Sequence, residues 1–255
     1  MKGPLLDIEG LSVVFGGLSA LNGLDLEIPE GDIIGLIGPN GAGKTTAFNA
    51  ITGIARPTAG RVIFEGRDIT GWPTSNVARI GIARTFQNIR LYEDLTVIEN
   101  VMVASHSSVR YTPIEAILGI GRVKSDERRI TAKAEFLLET MGLIDSVKDK
   151  AGSLPYGSQR KLEVARALAL EPTLLLLDEP VAGMNPRETI EFGALLRRIC
   201  KDLSLTIGLI DHDMGFVMDI CTAIRVIDHG TPIAWGTPKE IQNDPKVIAA
   251  YLGVG

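Results

Sequence analysis

Apolar and polar positions alternate along the first part of the chain and then give way to longer, helical spacing. "LSVVF" (11–15) and "LDLEI" (24–28) alternate, "PEGD" interrupts, and "IIGLI" (33–37) resumes as an unbroken apolar run, so three strands joined by turns are expected. A helix is expected from Thr45 to Gly53, then a break at "RPTAG" and a further strand at "RVIFEG". From about 74 to 155 the pattern is mainly helical, as in "LTVIENVMVA", "TPIEAILG" and "ITAKAEFLLETMG". Ser125, followed by Asp126 and Glu127, marks a helix start there. Beyond residue 156 helix and buried strand alternate through "LEVARALAL", "LLLLD", "TIEFGALLRRIC", "LTIGLI" and "IRVID", ending in a short helical tail. Such alternation predicts a largely parallel sheet with helices on its faces, and the helical stretch reads as a lobe inserted into that core.

Composition narrows the class. The chain has 255 residues, enough for one large α/β domain or a core with a smaller lobe. A net charge of −5 argues against nucleic acid as the main partner, which would want a basic surface. No apolar run approaches the roughly 18 residues that cross a bilayer. Asp7 and Glu9 interrupt the start before a signal-peptide core forms, so export is not expected. Cys200 and Cys221 lack CxxC spacing and His companions, and read as reduced core thiols of a cytosolic protein.

Two stretches carry chemistry. "GPNGAGKT" fits GxxxxGK[ST] as Gly38, Pro39, Asn40, Gly41, Ala42, Gly43, Lys44 and Thr45, followed by Thr46, between an apolar strand and a helix. Glycines let backbone N–H groups turn toward phosphate oxygens, Lys44 reaches the β and γ phosphates, and the Thr45 hydroxyl can ligate Mg²⁺. A nucleoside triphosphate is the natural occupant. "LLLLDEP" ends an apolar strand in Asp178 and Glu179, and ligands of open parallel sheets bind at the carboxyl ends of strands. Asp178 is placed to hold Mg²⁺, and Glu179 to accept a proton from a water attacking the γ-phosphate.

The order GPNGAGKTT, Gln87, LPYGSQ, LLLLDEP, AGMNP and His212 resembles the ATP-binding subunit of ABC transporters over nearly the whole chain. The resemblance implies a P-loop NTPase, RecA-like α/β core with an N-terminal antiparallel β subdomain and an inserted α-helical subdomain. The core would comprise 1–87 and 156–255, and the helical subdomain 88–155. It also implies that ATP and Mg²⁺ lie between two chains. The phosphate loop of one would face the signature turn of the other, carried here by Leu154, Gly157 and Ser158.

By the same resemblance Gln87 senses Mg²⁺ and the attacking water, and His212 contacts the γ-phosphate. Phe15 has two readings, an aromatic on which adenine stacks or a core residue of an edge strand. Asn185, in a stretch that resembles a loop crossing the dimer interface, also suits the cap of a helix beginning at Pro186. The signature turn departs from the family pattern. Pro155 stands where Ser or Ala is usual and supplies neither hydroxyl nor N–H, so Ser158 is expected to make a compensating hydrogen bond or to cap the helix.

"RTFQNIRLYEDLTVIENVMVA", "HDMGFVMDICTAIRVIDHGTPIAWGTPKEI" and "DPKVIAAYLG" resemble the ATPases of branched-chain amino-acid importers of the Liv type. ATPases for urea or short amides, or for lipopolysaccharide export, share much of this text. The implied partners are a second ATPase subunit, identical or paralogous, transmembrane permease subunits and, indirectly, a solute-binding protein. These would hold the chain at the cytoplasmic face of the membrane. Gln87 and the helix around 96 to 106 would push on the permease. A GTPase switch is a competing class, but the chain has no NKxD-type guanine reader. A non-transport ABC protein acting on DNA or ribosomes is another, usually with two ATPase units or a coiled-coil insertion.

Overall fold

The computed structural model describes residues 3–87, 89–105 and 123–252. Two compact units emerge, one made of 1–87 with 173–255 and the other of 88–172. The second boundary therefore falls at 172/173 instead of 155/156. The helix Tyr156–Leu168 packs on the helix Val97–Ser105 of the helical unit, and its apolar stripe is buried there.

The first unit contains two sheets. Strands β1 (Leu6–Phe15), β2 (Leu18–Ile28), β4 (Ala59–Phe64) and β5 (Arg67–Asp68) form an antiparallel sheet in the order β2-β1-β4-β5. The other sheet runs β10-β9-β3-β8-β7-β6, from β3 (Ile33–Ile37), β6 (Ile82–Arg84), β7 (Leu174–Asp178), β8 (Thr206–Ile210), β9 (Ala223–Asp228) and β10 (Thr231–Gly236). It is parallel from β9 through β6, and only β10 runs antiparallel. Sequence periodicity missed β10, whose half-exposed positions and internal Pro232 hide the pattern.

Helix α1 (Lys44–Ile51) follows β3, and its Phe48 and Ala47 join Leu6, Ile8, Leu26, Ile34, Leu36 and Leu176 in one buried cluster. Gly208 of β8 lets that cluster close, because a Cβ there would lie 2.7 Å from Leu176 Cδ2. Helix α2 (Thr74–Arg79) precedes β6. Helices α6 (Pro186–Asp202) and α7 (Met214–Ile220) pack against each other, and α8 (Pro238–Gln242) and α9 (Pro245–Leu252) follow β10. Cys200 and Cys221 are both buried free thiols, and desolvation pushes Cys221 up to about 12.

In the helical unit α3 (Val97–Ser105) packs on α4 (Val123–Thr140) and α5 (Tyr156–Leu168). Its start is fixed reciprocally: Thr96 N–H donates to Glu99 Oε2 at 2.8 Å, and Glu99 N–H donates to Thr96 Oγ1 at 3.3 Å. Fully buried Asn100 donates to the Tyr92 and Thr96 carbonyls and accepts from Tyr92 N–H, which pins the loop before the helix. The helix at "ITAKAEFLLETMG" is present, but it already includes Val123, two residues before the expected start at Ser125. The pattern at "TPIEAILG" lies outside the described residues. Among the described residues no helix is long and apolar enough to cross a membrane.

Candidate functional site

Register decides where the chemistry gathers. Strands β3, β7 and β8 are neighbours, Asp178 pairs with Ile210, and Gly35 pairs with Leu209. The loop after β3, the acids ending β7 and the turn after β8 therefore leave the sheet at one edge, as the parallel-sheet reading anticipates.

The loop after β3 needs its glycines. Gly38 has φ +155° and Gly43 has φ +99°; a Cβ at the first would collide with the Ile227 carbonyl oxygen, and at the second with that of Ala20. Gly43 is also the N-cap of α1 and offers no side-chain acceptor. By helix geometry the N–H groups of Lys44, Thr45 and Thr46 then have no intrahelical partner, and the positive end of the helix dipole is left to an anion. Lys44 is buried, and its Nζ donates to the carbonyls of Gly38 at 2.7 Å and Pro39 at 2.9 Å. Desolvation lowers its pKa from the usual 10.5, against the opposing pull of Glu179 and Asp178. A cleft of about 510 Å³ opens here between Lys44, Thr45, Thr46, Glu179 and the ledge at Leu18. Asn40 and Gly41 line it too, whereas Pro39 is half-buried and Ala42 buried in the loop's own turn.

Glu179 adopts a left-handed backbone, φ 49°, which non-glycine residues rarely take. Its N–H donates to the Ile210 carbonyl at 2.7 Å, so the turn is tied to β8. Gln87 Nε2 donates to Glu179 Oε2 at 2.9 Å, and His212 Nδ1 lies 3.8 Å from the same oxygen. Gln87, Glu179 and His212, far apart in sequence, thus meet at one carboxylate. His212 is held from beneath by Asp211. That side chain is buried and accepts from the N–H groups of His212 at 2.8 Å and Asp213 at 2.9 Å. Desolvation raises the Asp211 pKa, and those N–H donors partly offset it.

Asp178 is buried and paired with Arg84, Nη2 to Oδ2 at 2.7 Å. Sequence reasoning missed Arg84, since one basic residue in "IARTF" reads as a strand edge. Tyr251 of α9 was missed as well. Burial pushes its phenol up to about 12, against the opposing pull of the nearby Gly38 backbone. His229 also lines the cleft, from the β9–β10 turn, at a left-handed φ of 44°.

Other expected residues fall elsewhere. Phe15 is 51 % exposed at the end of β1, so the core-residue reading is wrong; it pairs with Leu18, which lines the cleft. Leu154 and Gly157 are buried in the helical unit. Pro155 is the N-cap of α5 and Tyr156 its first residue. Ser158 is therefore the third helical residue and does not cap, because proline's fixed φ already sets the helix entry. Asn185 does cap α6, accepting from Arg187 N–H at 3.1 Å and Glu188 N–H at 3.0 Å, with Pro186 as the first helical residue.

Comparison with known proteins agrees with this geometry. The ABC transporter family model matches residues 21–182, and the branched-chain amino acid ATP-binding cassette transporter model matches residues 230–255. The chain is 45 % identical over 253 residues to the high-affinity branched-chain amino acid transport ATP-binding protein LivG of Salmonella typhimurium, covering 99 % of each. It is 43 % identical, with the same coverage, to the corresponding protein BraF of Pseudomonas aeruginosa. Among solved structures it is similar to the ADP conformation of MJ1267, an ATP-binding cassette of an ABC transporter, at a TM-score of 0.86, 31 % identity and 98 % coverage of both chains. A family match that spans the phosphate loop and both acids, and relatives that align from end to end, lead to one conclusion: the chain belongs to the ABC transporter family, as an ATP-binding cassette.

Proposed function

We propose that this chain is an ATP-hydrolysing subunit that powers uptake of branched-chain amino acids through a membrane permease. The observation that carries the reading is the meeting of Gln87 and His212 on Glu179 beside the phosphate loop, in a chain similar over its full length to LivG and BraF.

The loop from Gly38 to Thr46 holds the triphosphate with its backbone N–H groups, and Lys44 leaves its carbonyl partners to face the β and γ phosphates. Glu179 accepts the proton of the attacking water. Gln87 orients that carboxylate, and His212 contacts the γ-phosphate. The base of ATP lies toward the ledge of Phe15 and Leu18.

The donor set suits Mg²⁺. Hydroxyl, carboxylate and amide oxygens are hard ligands, and among the described residues no cluster of three His, Cys, Asp or Glu side chains could cage a metal unaided. Thr45, Asp178 and Gln87 would hold it together with water and phosphate oxygens. When bound it neutralises the charge of the transferring phosphoryl group.

A second ATPase chain, identical or paralogous, supplies the signature turn of Leu154, Gly157 and Ser158 across each nucleotide. Permease subunits hold the pair at the cytoplasmic face, and a solute-binding protein delivers the cargo. Co-purification followed by uptake assays tests this. Polytopic permeases and ATP-dependent leucine, isoleucine or valine uptake are expected. Uptake of urea or amides instead, export of lipopolysaccharide, or capture of ribosomes or DNA contradicts it.

A further inference from the structure

Asp178 does not stand alone at the end of its strand. β6 and β7 are parallel neighbours with Arg84 opposite Leu176, so the Arg84 side chain can reach forward to the end of β7. Its Nη2 donates to Asp178 Oδ2 at 2.7 Å, with the two side chains only 5 % and 4 % exposed. Its Nη1 donates to Asn49 Oδ1 at 2.7 Å and to Thr52 Oγ1 at 3.4 Å, both from the helix that begins at Lys44. The rings of Phe48 and Phe86 flank the guanidinium, with centroids 5.6 and 5.3 Å from its carbon. Among the described residues Arg84 Nε, by contrast, is buried without a hydrogen-bond partner. Among the described residues Asp178 Oδ1 accepts no hydrogen bond.

A buried carboxylate must be paired, and a pair this close shares its charge. The arrangement therefore does two things at once. Oδ2 is occupied, which leaves Oδ1 as the oxygen offered to a hydrated cation. The guanidinium also cancels much of the negative charge that would attract that cation. These effects oppose each other when Arg84 is removed. Removing a unit charge beside a dication's ligand strengthens binding by well over tenfold even at an effective dielectric near 20, which is about the value that fits protein sites. Freeing the two torsions of one Asp side chain weakens it by less than about tenfold. Charge wins.

We propose that Arg84 is a positioning residue that takes Oδ2 of Asp178, presents Oδ1, and keeps divalent-cation binding weak enough to be released in each cycle. This rests on the reading of Asp178 as the acid on the metal side. Both can be tested by calorimetric titration of Mg²⁺ into the protein–ADP complex, with ADP binding in EDTA as the nucleotide control.

Arg84→Gln is expected to bind Mg²⁺ about tenfold more tightly than the parent, and Arg84→Lys, which keeps the charge, to stay within about threefold. ADP affinity in EDTA should weaken in Arg84→Gln, since the same lost charge attracts the phosphates, and stay within about twofold in Arg84→Lys, so a gain in Mg²⁺ binding cannot come from the nucleotide. Arg84→Met, a neutral side chain that still fills the space between Phe48 and Phe86, should tighten Mg²⁺ binding in the same direction; it decides the matter if Arg84→Gln does not fold. Unchanged or weaker Mg²⁺ binding in folded Arg84→Gln, or a gain in Arg84→Lys as large as that in Arg84→Gln, would overturn the proposal. Asp178→Asn separates the two ideas. Loss of Mg²⁺ affinity in Asp178→Asn, with no gain in the other variants, removes Arg84 alone. Unchanged affinity in Asp178→Asn removes the reading of Asp178 and the proposal with it.

Discussion

Gln87 Nε2 donates a hydrogen bond to Glu179 Oε2 at 2.9 Å, across the outlets of two neighbouring parallel strands. Three residues earlier, at the last position of β6, Arg84 grips Asp178 at 2.7 Å. Each acid that ends β7 is thus answered by a residue leaving β6, and the two answers differ. Asp178 meets a buried cation, whereas Glu179 meets a neutral amide near solvent, as its proposed role of base requires.

Glu179→Gln tests that division. The amide keeps the size of the side chain and an oxygen acceptor for Gln87, but it cannot take a proton. ATP affinity should hold within about twofold, while turnover falls by about 10²–10⁴. Single-turnover measurements check this; a rate near that of the parent removes Glu179 from the role.

Lys44 gives a pH-dependent prediction. Burial lowers its pKa in the nucleotide-free chain, and phosphate charge would raise it again. Lys44 is charged in both states below its depressed value, so ATP affinity is level there. Affinity then falls as pH rises through that value, because binding must take up a proton, and it levels off above the raised value of the complex. Lys44→Ala should bind ATP more weakly at neutral pH and lose this alkaline slope. Equilibrium titration between neutral and alkaline pH reads both effects, and a slope that survives in Lys44→Ala contradicts the assignment.

Tyr251, on the last described helix, has its phenol near the Gly38 backbone of the phosphate loop. Tyr251→Phe removes only the phenol oxygen; if that oxygen supports the loop with one hydrogen bond's worth, about 0.5–1.5 kcal/mol, ATP binding should weaken about two- to tenfold with the fold intact. Nucleotide titration together with circular dichroism checks it, and an unchanged affinity would show that the loop holds its shape without the phenol.

The sequence reveals most where chemistry constrains the backbone. The phosphate loop is legible because Gly38 and Gly43 leave no room for a Cβ, and the acids because four apolar residues, Leu174 to Leu177, run straight into them. Motif order leads to Gln87 and His212. Arg84 is hidden because its partner lies 94 residues away and nothing local announces a buried charge. The same holds for Tyr251. Periodicity finds α5 but cannot say what it packs against, which is why the expected boundary was misplaced. Of the two roles expected of Ser158, a compensating hydrogen bond or the helix cap, the cap is ruled out because Pro155 already holds that position.

On the proposed function one chain holds half of each reaction centre, the phosphate loop and acids, and a second chain must supply the signature turn. Turnover per chain measured across a dilution series, with association state followed by sedimentation, tests it most directly. The account predicts a rate that falls toward zero as chains separate and returns when a partner ATPase is restored. A strictly monomeric sample that hydrolyses ATP at full, concentration-independent speed would contradict it.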